Sequence, residues 1–136
     1  MNASGDDVVA EPCDVLVVGG GPAGSTAATL LARQGRKVVL AEKLHHPRFH
    51  IGESLLPANV LLFDALGLRS ELERIGIRKF GIEFISTEHA HSSFLEFGDA
   101  WDKTMPYAWQ VRRSVLDEIL FRHAAAQAVR DIGVQV

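Results

Sequence analysis

Two stretches of this 136-residue chain carry residue types at spacings that could do chemistry. The first is Gly19-Gly20-Gly21-Pro22-Ala23-Gly24, a GxGxxG pattern between a short apolar run at 14–18 and a segment of helical composition. In that setting Gly19 permits a tight turn and Gly21 lets the backbone approach a pyrophosphate. Gly24, with the small Ala27 and Ala28, lets the helix pack close to the strand before it. The N–H groups and positive dipole end of the helix, around Ala23, then meet the phosphate charge. Glu42 follows 18 positions after Gly24, close to the spacing of about 20 at which an acid accepts hydrogen bonds from a ribose diol. A carboxylate there suits FAD or NAD and repels the 2′-phosphate of NADP, although Lys43 and Arg48, in the basic loop beyond it, soften that second conclusion. Both are candidates to stand beside a polyanionic cofactor.

The second stretch, the loop at 43–50, and a few residues scattered elsewhere hold possible ligands and nucleophiles with weaker local signals. The loop at 43–50 carries His45, His46 and His50, but no Cys or carboxylate stands at ligand spacing beside them, so no metal is expected. His89 and His91 fall in a polar segment and read as solvated. Lys79, next to Arg78, reads by itself as an exposed charge at the start of a strand. Cys13 is the single cysteine; it cannot form an internal disulfide, and its place at the start of the first strand predicts a small buried apolar residue and a cytoplasmic setting.

The elements that must position these groups follow from pattern. The run at 14–18 predicts a strand buried on both faces of a parallel sheet, followed by a helix closed by Gly35. A second strand is expected at 37–41 with Glu42 at its end. Ser54 reads as the N-cap of a helix at 55–66, with Pro57 in its first turn and Gly67 closing it, and 69–75 adds a short helical turn. Within 80–97 two strands flank the polar segment 87–93, which predicts a hairpin outside the nucleotide-binding sheet. A loop at 99–108 holds Trp101, Pro106 and Tyr107, and 110–113 is expected to be extended. Ser114 with Asp117 resembles a capping box for a last helix that buries Leu116, Ile119, Leu120, His123 and Ala124. Residues 133–136 begin a strand.

Bulk composition excludes several classes. The length allows at most one domain, and 47% hydrophobic with 23% charged residues is ordinary for a globular protein. A net charge of −3 gives no reason to expect nucleic acid or an anionic membrane as partner, and no apolar run approaches the roughly 18 residues of a membrane span. The acidic first 12 residues lack the pattern of a secretory signal and read as a flexible tail.

Beyond these local readings, the chain after its tail resembles the N-terminal part of the FAD-dependent monooxygenase superfamily, on VVGGGPAGSTAATLLARQG with VVLAEK, PRFHIGESLLP and VRRSVLDEILFRHA. Gly52-Glu53-Ser54-Leu55-Leu56-Pro57 is similar to the signature of flavin-dependent halogenases, and within that group to those acting on phenolic or pyrrolic substrates. The resemblance implies FAD as cofactor, a separate flavin reductase, a small aromatic substrate that could be carrier-tethered, and Arg113 approaching the flavin. It also places Lys79, directly before Phe80-Gly81, where the family has the lysine that handles hypochlorous acid, either by hydrogen bonding it as an ammonium or by forming a chloramine as an amine. Ser54 joins the cofactor-binding candidates on the same ground.

The family's WxWxIP segment and its later Gly-Asp motif are absent, since both normally lie further downstream. The expectation is therefore an α/β chain, residues 13–136 being the N-terminal part of a Rossmann-like FAD-binding domain, incomplete and carrying a β-hairpin insertion. The leading function is part of a flavin-dependent halogenase. The alternatives are a FAD-dependent hydroxylase, a geranylgeranyl-reductase-like oxidoreductase, or a partial nucleotide-binding domain with no activity of its own.

Overall fold

The computed structural model describes residues 12–99, 105–127 and 130–133. Residues 1–11 of the expected tail, Trp101, and positions 134–136 of the last predicted strand lie outside the described residues. In chain order the first half runs β1 (Val15–Val18), α1 (Pro22–Arg33), β2 (Val38–Glu42), α2 (Pro57–Leu66) and α3 (Arg69–Ile75). The second half runs β3 (Ile77–Lys79), β4 (Gly81–Ser86), β5 (His91–Glu96), a single 3-10 turn, β6 (Ala108–Gln110), α4 (Arg113–Ala126) and β7 (Arg130–Gly133). No helix among the described residues is long and apolar enough to cross a membrane.

The expected α/β architecture is present. β1, β2 and β7 form a parallel sheet in that order, with Val15 opposite Val38 and Val39 opposite Arg130. Ala28 of α1, Val38 and Leu40 of β2 and Ala124 of α4 pack together, so α1 and α4 cover one face of the sheet. This corrects the reading of β1 as buried on both faces. Leu16 and Val18 point to the other face and are 56% and 82% exposed, because among the described residues β1 lies at the edge of the sheet and the helices cover only the opposite side. Cys13 is likewise exposed rather than buried, since it precedes the strand. The last strand begins at Arg130, three residues before the predicted start.

A second apolar cluster joins Val60, Phe63 and Leu66 of α2, Leu72 of α3, Trp109 and Val111 around β6, and Leu116 and Leu120 of α4. Gly67 closes α2 in the left-handed conformation, φ 75°, and delivers Leu68 into that cluster. The helix itself begins later than expected. Pro57 occupies its first position and Leu56 is the N-cap, because a proline is pre-shaped for N1 and pushes the residue before it into extended backbone. Asn59 Oδ1 then accepts the Leu56 N–H at 2.9 Å, and Ser54 is left for another role.

The hairpin stands apart as predicted, β4 pairing antiparallel with β5 from Gly81 opposite Glu96 to Ser86 opposite His91. His91, Ser92 and Ser93 belong to β5 rather than to the polar loop, so the turn is confined to 87–90. The extended segment near 110 also starts earlier, at Ala108, and Arg113 already belongs to α4.

Arg33, at the end of α1, ties three helices. Its guanidinium donates to the carbonyls of Ala65 and Leu66 at 2.8 and 2.9 Å and to Gln127 Oε1 at 3.2 Å, and lies 3.1 Å from His123 Nε2. An arginine can only donate, so Nε2 must accept and the imidazole is neutral. Burial, then the Arg33 charge, hold His123 below its ordinary value of 6.5, against a smaller opposing pull from the Leu66 carbonyl. A folded-state value below the unfolded one means stability is fully present above 6.5 and is lost as pH falls through the window below it. The Tm should therefore decline as pH drops through the histidine range, and His123→Gln should flatten that decline; an equal decline in the variant would refute the assignment.

Candidate functional site

The glycine turn is built as a cradle. Gly19 takes φ 100°, a conformation that L side chains rarely adopt. Its N–H donates to the Ala41 carbonyl at 2.7 Å, continuing the β1–β2 ladder into the turn. A Cβ on Gly24 would lie 1.8 Å from the Gly19 carbonyl oxygen and 3.3 Å from Val17, so the absence of a side chain is what lets α1 approach β1. A Cβ on Gly21 would meet only Arg48 Nη2 at 3.9 Å, which leaves open space over the start of the helix. No side chain caps α1 and Pro22 stands at its first position, so the N–H groups of Ala23 and Gly24 remain available donors. Open space, free donors and an adjacent guanidinium suit a pyrophosphate.

Gly20 was not singled out by sequence, yet it is as constrained as its neighbours. A Cβ there would meet the Phe121 ring at 2.6 Å and Glu42 Cβ at 3.0 Å. The signal was present only as the middle one of three consecutive glycines. Its N–H donates to Glu42 Oε2 at 2.7 Å, the Leu44 N–H donates to Oε1 at 2.8 Å, and Arg48 Nη2 pairs with Oε2 at 3.2 Å. Burial disfavours the charged form of Glu42, but these backbone donors and the Arg48 charge outweigh it and hold the carboxyl below its usual range. One lone-pair direction on Oε1 is still open to a hydroxyl.

Beside this acid lies a cavity of about 310 Å³ bordered by Glu42, His45, His46 and Phe121. The His46 ring packs on Phe121 with centroids 4.7 Å apart, and neither ring nitrogen has a hydrogen-bond partner among the described residues. His50 and Lys43 are exposed. Among the described residues no three His, Cys, Asp or Glu side chains converge as a metal site.

The second half of the site is organised by β6. On one edge it pairs antiparallel with β3, Lys79 opposite Ala108 and Arg78 opposite Trp109. On the other edge the segment around Ser54 joins it: Ser54 bridges Gln110, the Leu55 N–H donates to the Trp109 carbonyl at 2.9 Å, and the Val111 N–H donates to the Glu53 carbonyl at 2.9 Å. Ser54 is thus part of a sheet edge rather than a helix cap, and its hydroxyl is hydrogen-bonded to Lys79 Nζ. The lysine ammonium also sits 5.5 Å from the centre of the buried Phe97 ring, and burial lowers its pKa.

Arg113 holds the same loop from the other side. Its Nη1 donates to the carbonyls of Ile51 and Gly52 at 3.0 and 3.3 Å, where Gly52 takes φ 101°. Nε and Nη2 bind both oxygens of Asp117, at 2.8 and 3.1 Å. Asp117 is therefore a fully buried counter-ion, not the far end of a Ser114 capping box, since α4 already starts at Arg113 with Arg112 as N-cap. Losing one partner of a buried ion pair strands the other, and part of Arg113 is solvated, so Asp117→Asn should destabilise by about 2 kcal/mol in urea unfolding. A change under about 0.5 kcal/mol would remove Asp117 from the clamp.

A family model for tryptophan halogenases matches residues 14–104. The chain is 43% identical over 130 residues to the flavin-dependent halogenase rdc2 of Metacordyceps chlamydosporia, an overlap covering 93% of this chain and 24% of the relative. Among solved structures it is similar to the myxobacterial chondrochloren halogenase CndH, a variant of FAD-dependent halogenases, with TM-score 0.80, 36% identity, and 90% and 29% of the two chains covered. It is also similar to a flavoprotein/dehydrogenase from Cytophaga hutchinsonii, with TM-score 0.80, 37% identity, and 90% and 30% covered. The chain spans about a quarter of the length of the curated relatives it matches. By a family match that runs through the glycine turn, the Gly52-Glu53-Ser54 loop and Lys79, the chain belongs to the tryptophan halogenase family.

Proposed function

We propose that this chain is the N-terminal, FAD-holding part of a flavin-dependent halogenase that uses reduced FAD, oxygen and a halide to halogenate a small aromatic substrate. The observation that carries the reading is Lys79. It is a half-buried amine with a lowered pKa, bonded to Ser54 of the Gly-Glu-Ser loop whose preceding carbonyls Arg113 holds.

The residues present fit FAD. The open face of Gly21, the donors of Ala23 and Gly24 and the Arg48 guanidinium would hold the pyrophosphate, and Glu42 would accept a ribose hydroxyl. Arg113 supports the cofactor through the loop carbonyls of Ile51 and Gly52. When bound and reduced, FAD supplies the two electrons with which oxygen is activated to oxidise halide. Lys79 would hold hypohalous acid by a hydrogen bond from its ammonium, or its free amine would attack the halogen, the N–halogen bond forming as the O–halogen bond breaks and water leaves; burial favours the free amine. The remainder of such a protein would close the aromatic site.

A separate reductase delivers the reduced flavin in this proposal. The test is the full-length protein supplied with a flavin reductase, chloride and a panel of phenols, pyrroles and indoles, free and carrier-bound. Chlorinated product by mass is expected. Hydroxylated or reduced product alone would instead support a hydroxylase or dehydrogenase, the reading to which the likeness with the Cytophaga flavoprotein lends weight.

A further inference from the structure

We infer that Ser54 is the positioning residue for Lys79, fixing its amine at the wall of the cleft above loop 49–54, and that Ala108 is the small residue that lets the lysine reach it. The inference rests on the halogenase reading only for what the amine does there.

The sheet geometry supports it directly. β6 is the middle strand: Lys79 lies opposite Ala108 on one edge and Ser54 opposite Gln110 on the other. Directly paired residues, and residues two apart along one strand, share a face, so Lys79, Ala108, Gln110 and Ser54 all project to the same side. Arg78 and Trp109 share the opposite face, and the Arg78 guanidinium lies 5.2 Å from the Trp109 ring. To touch Ser54, the lysine must cross two strand spacings, about 9.6 Å, and run two residues along β6 from the level of Ala108 to that of Gln110, a diagonal of roughly 12 Å between Cα positions. A long side chain passes over β6 only if the residue beneath it is small. Ala108 is that residue, and it is fully buried. The far end of the crossing is fixed, because Leu55, Glu53 and Ser54 are bonded to β6 and Arg113 grips the carbonyls just before them. Ser54 and Gln110 border a cleft of about 410 Å³ with Phe49, Ile51 and Gly52. The hydroxyl thus holds the amine beside a residue of the cleft wall.

The experiment uses the full-length protein with Ser54→Ala and Ser54→Thr. Two readouts are taken: steady-state halogenation, and the rate at which Lys79 is acetylated by acetic anhydride in the cofactor-free protein, followed by peptide mass spectrometry. Ser54→Ala should lower kcat for halogenation by about tenfold, the scale of one hydrogen bond to a charged group, with KM for substrate unchanged. Acetylation of Lys79 should become about threefold faster or more, because the amine loses the acceptor that favours its charged form and holds it in place. Ser54→Thr should restore both. The acetylation readout needs no enzymatic activity. If the wild-type protein halogenates nothing, the halogenase reading falls while acetylation still judges the pairing. Unchanged acetylation in Ser54→Ala, or a change that threonine does not reverse, overturns the role of Ser54 even if the wild type halogenates.

Discussion

Lys79→Ala should reduce halogenated product by about three orders of magnitude, the scale on which removing a group that acts on the reacting atoms is felt. Flavin binding and flavin oxidation should stay within about twofold, because Lys79 is bonded to Ser54 and to none of Gly20, Glu42 or Arg48. The enzyme would then consume reduced flavin and oxygen without transferring halogen. Lys79→Arg should fail in the same way: a planar guanidinium does not give up its proton and does not match a compact ammonium on the serine hydroxyl. A hydroxylase or dehydrogenase on this fold would be nearly indifferent to both changes. Product retained above about a tenth of wild type in Lys79→Ala would remove the lysine from the chemistry.

The second large effect is expected at Gly24. An added Cβ would stand 1.8 Å from the Gly19 carbonyl oxygen and 3.1 Å from its carbon, and both are backbone atoms of a turn already held at φ 100°. No rotamer change relieves that contact, so either α1 retreats from β1 or the turn opens. Gly24→Ala should cost about 3 kcal/mol or more in urea unfolding. FAD binding, followed by flavin fluorescence, should be lost with it. Gly35→Ala is the informative comparison. Gly35 also has positive φ but nothing within 4 Å of an added Cβ, so it should cost only about 1 kcal/mol and leave FAD affinity alone. Equal losses in the two variants would mean that backbone conformation, rather than close approach, is what matters at Gly24.

These sites differ in how far the sequence disclosed them. The turn and Glu42 were legible because a strand, a tight turn, a helix and the next strand follow one another with fixed local geometry, and the spacing alone brings the acid back to Gly20. Lys79 was legible only through family resemblance. Its partner lies 25 positions earlier and meets it only because β6, some 30 positions later, comes between them. Local rules also competed. Ser54 and Ser114 both look like helix caps, but Pro57 claimed the first position of α2, and the ion pair of Arg113 with Asp117 drew Arg113 into α4. The double burial expected of β1 failed for a different reason: an apolar run states that its faces can be covered, and says nothing of which elements cover them.

The position of Ala108 between a lysine and a serine bears on how this scaffold could be re-engineered. Substrate range is usually broadened by randomising residues that line a cleft, and Gln110 would be an obvious choice. Ala108 would be a poor one, since any larger side chain there lies across the lysine's path, and a single inserted residue in β6 would exchange its two faces and turn Lys79's crossing point into Trp109. A library that diversifies Phe49 and Ile51, whose side chains are exposed, together with Gln110, while holding 108 and 109 constant, would change what the cleft admits and leave the amine where it stands.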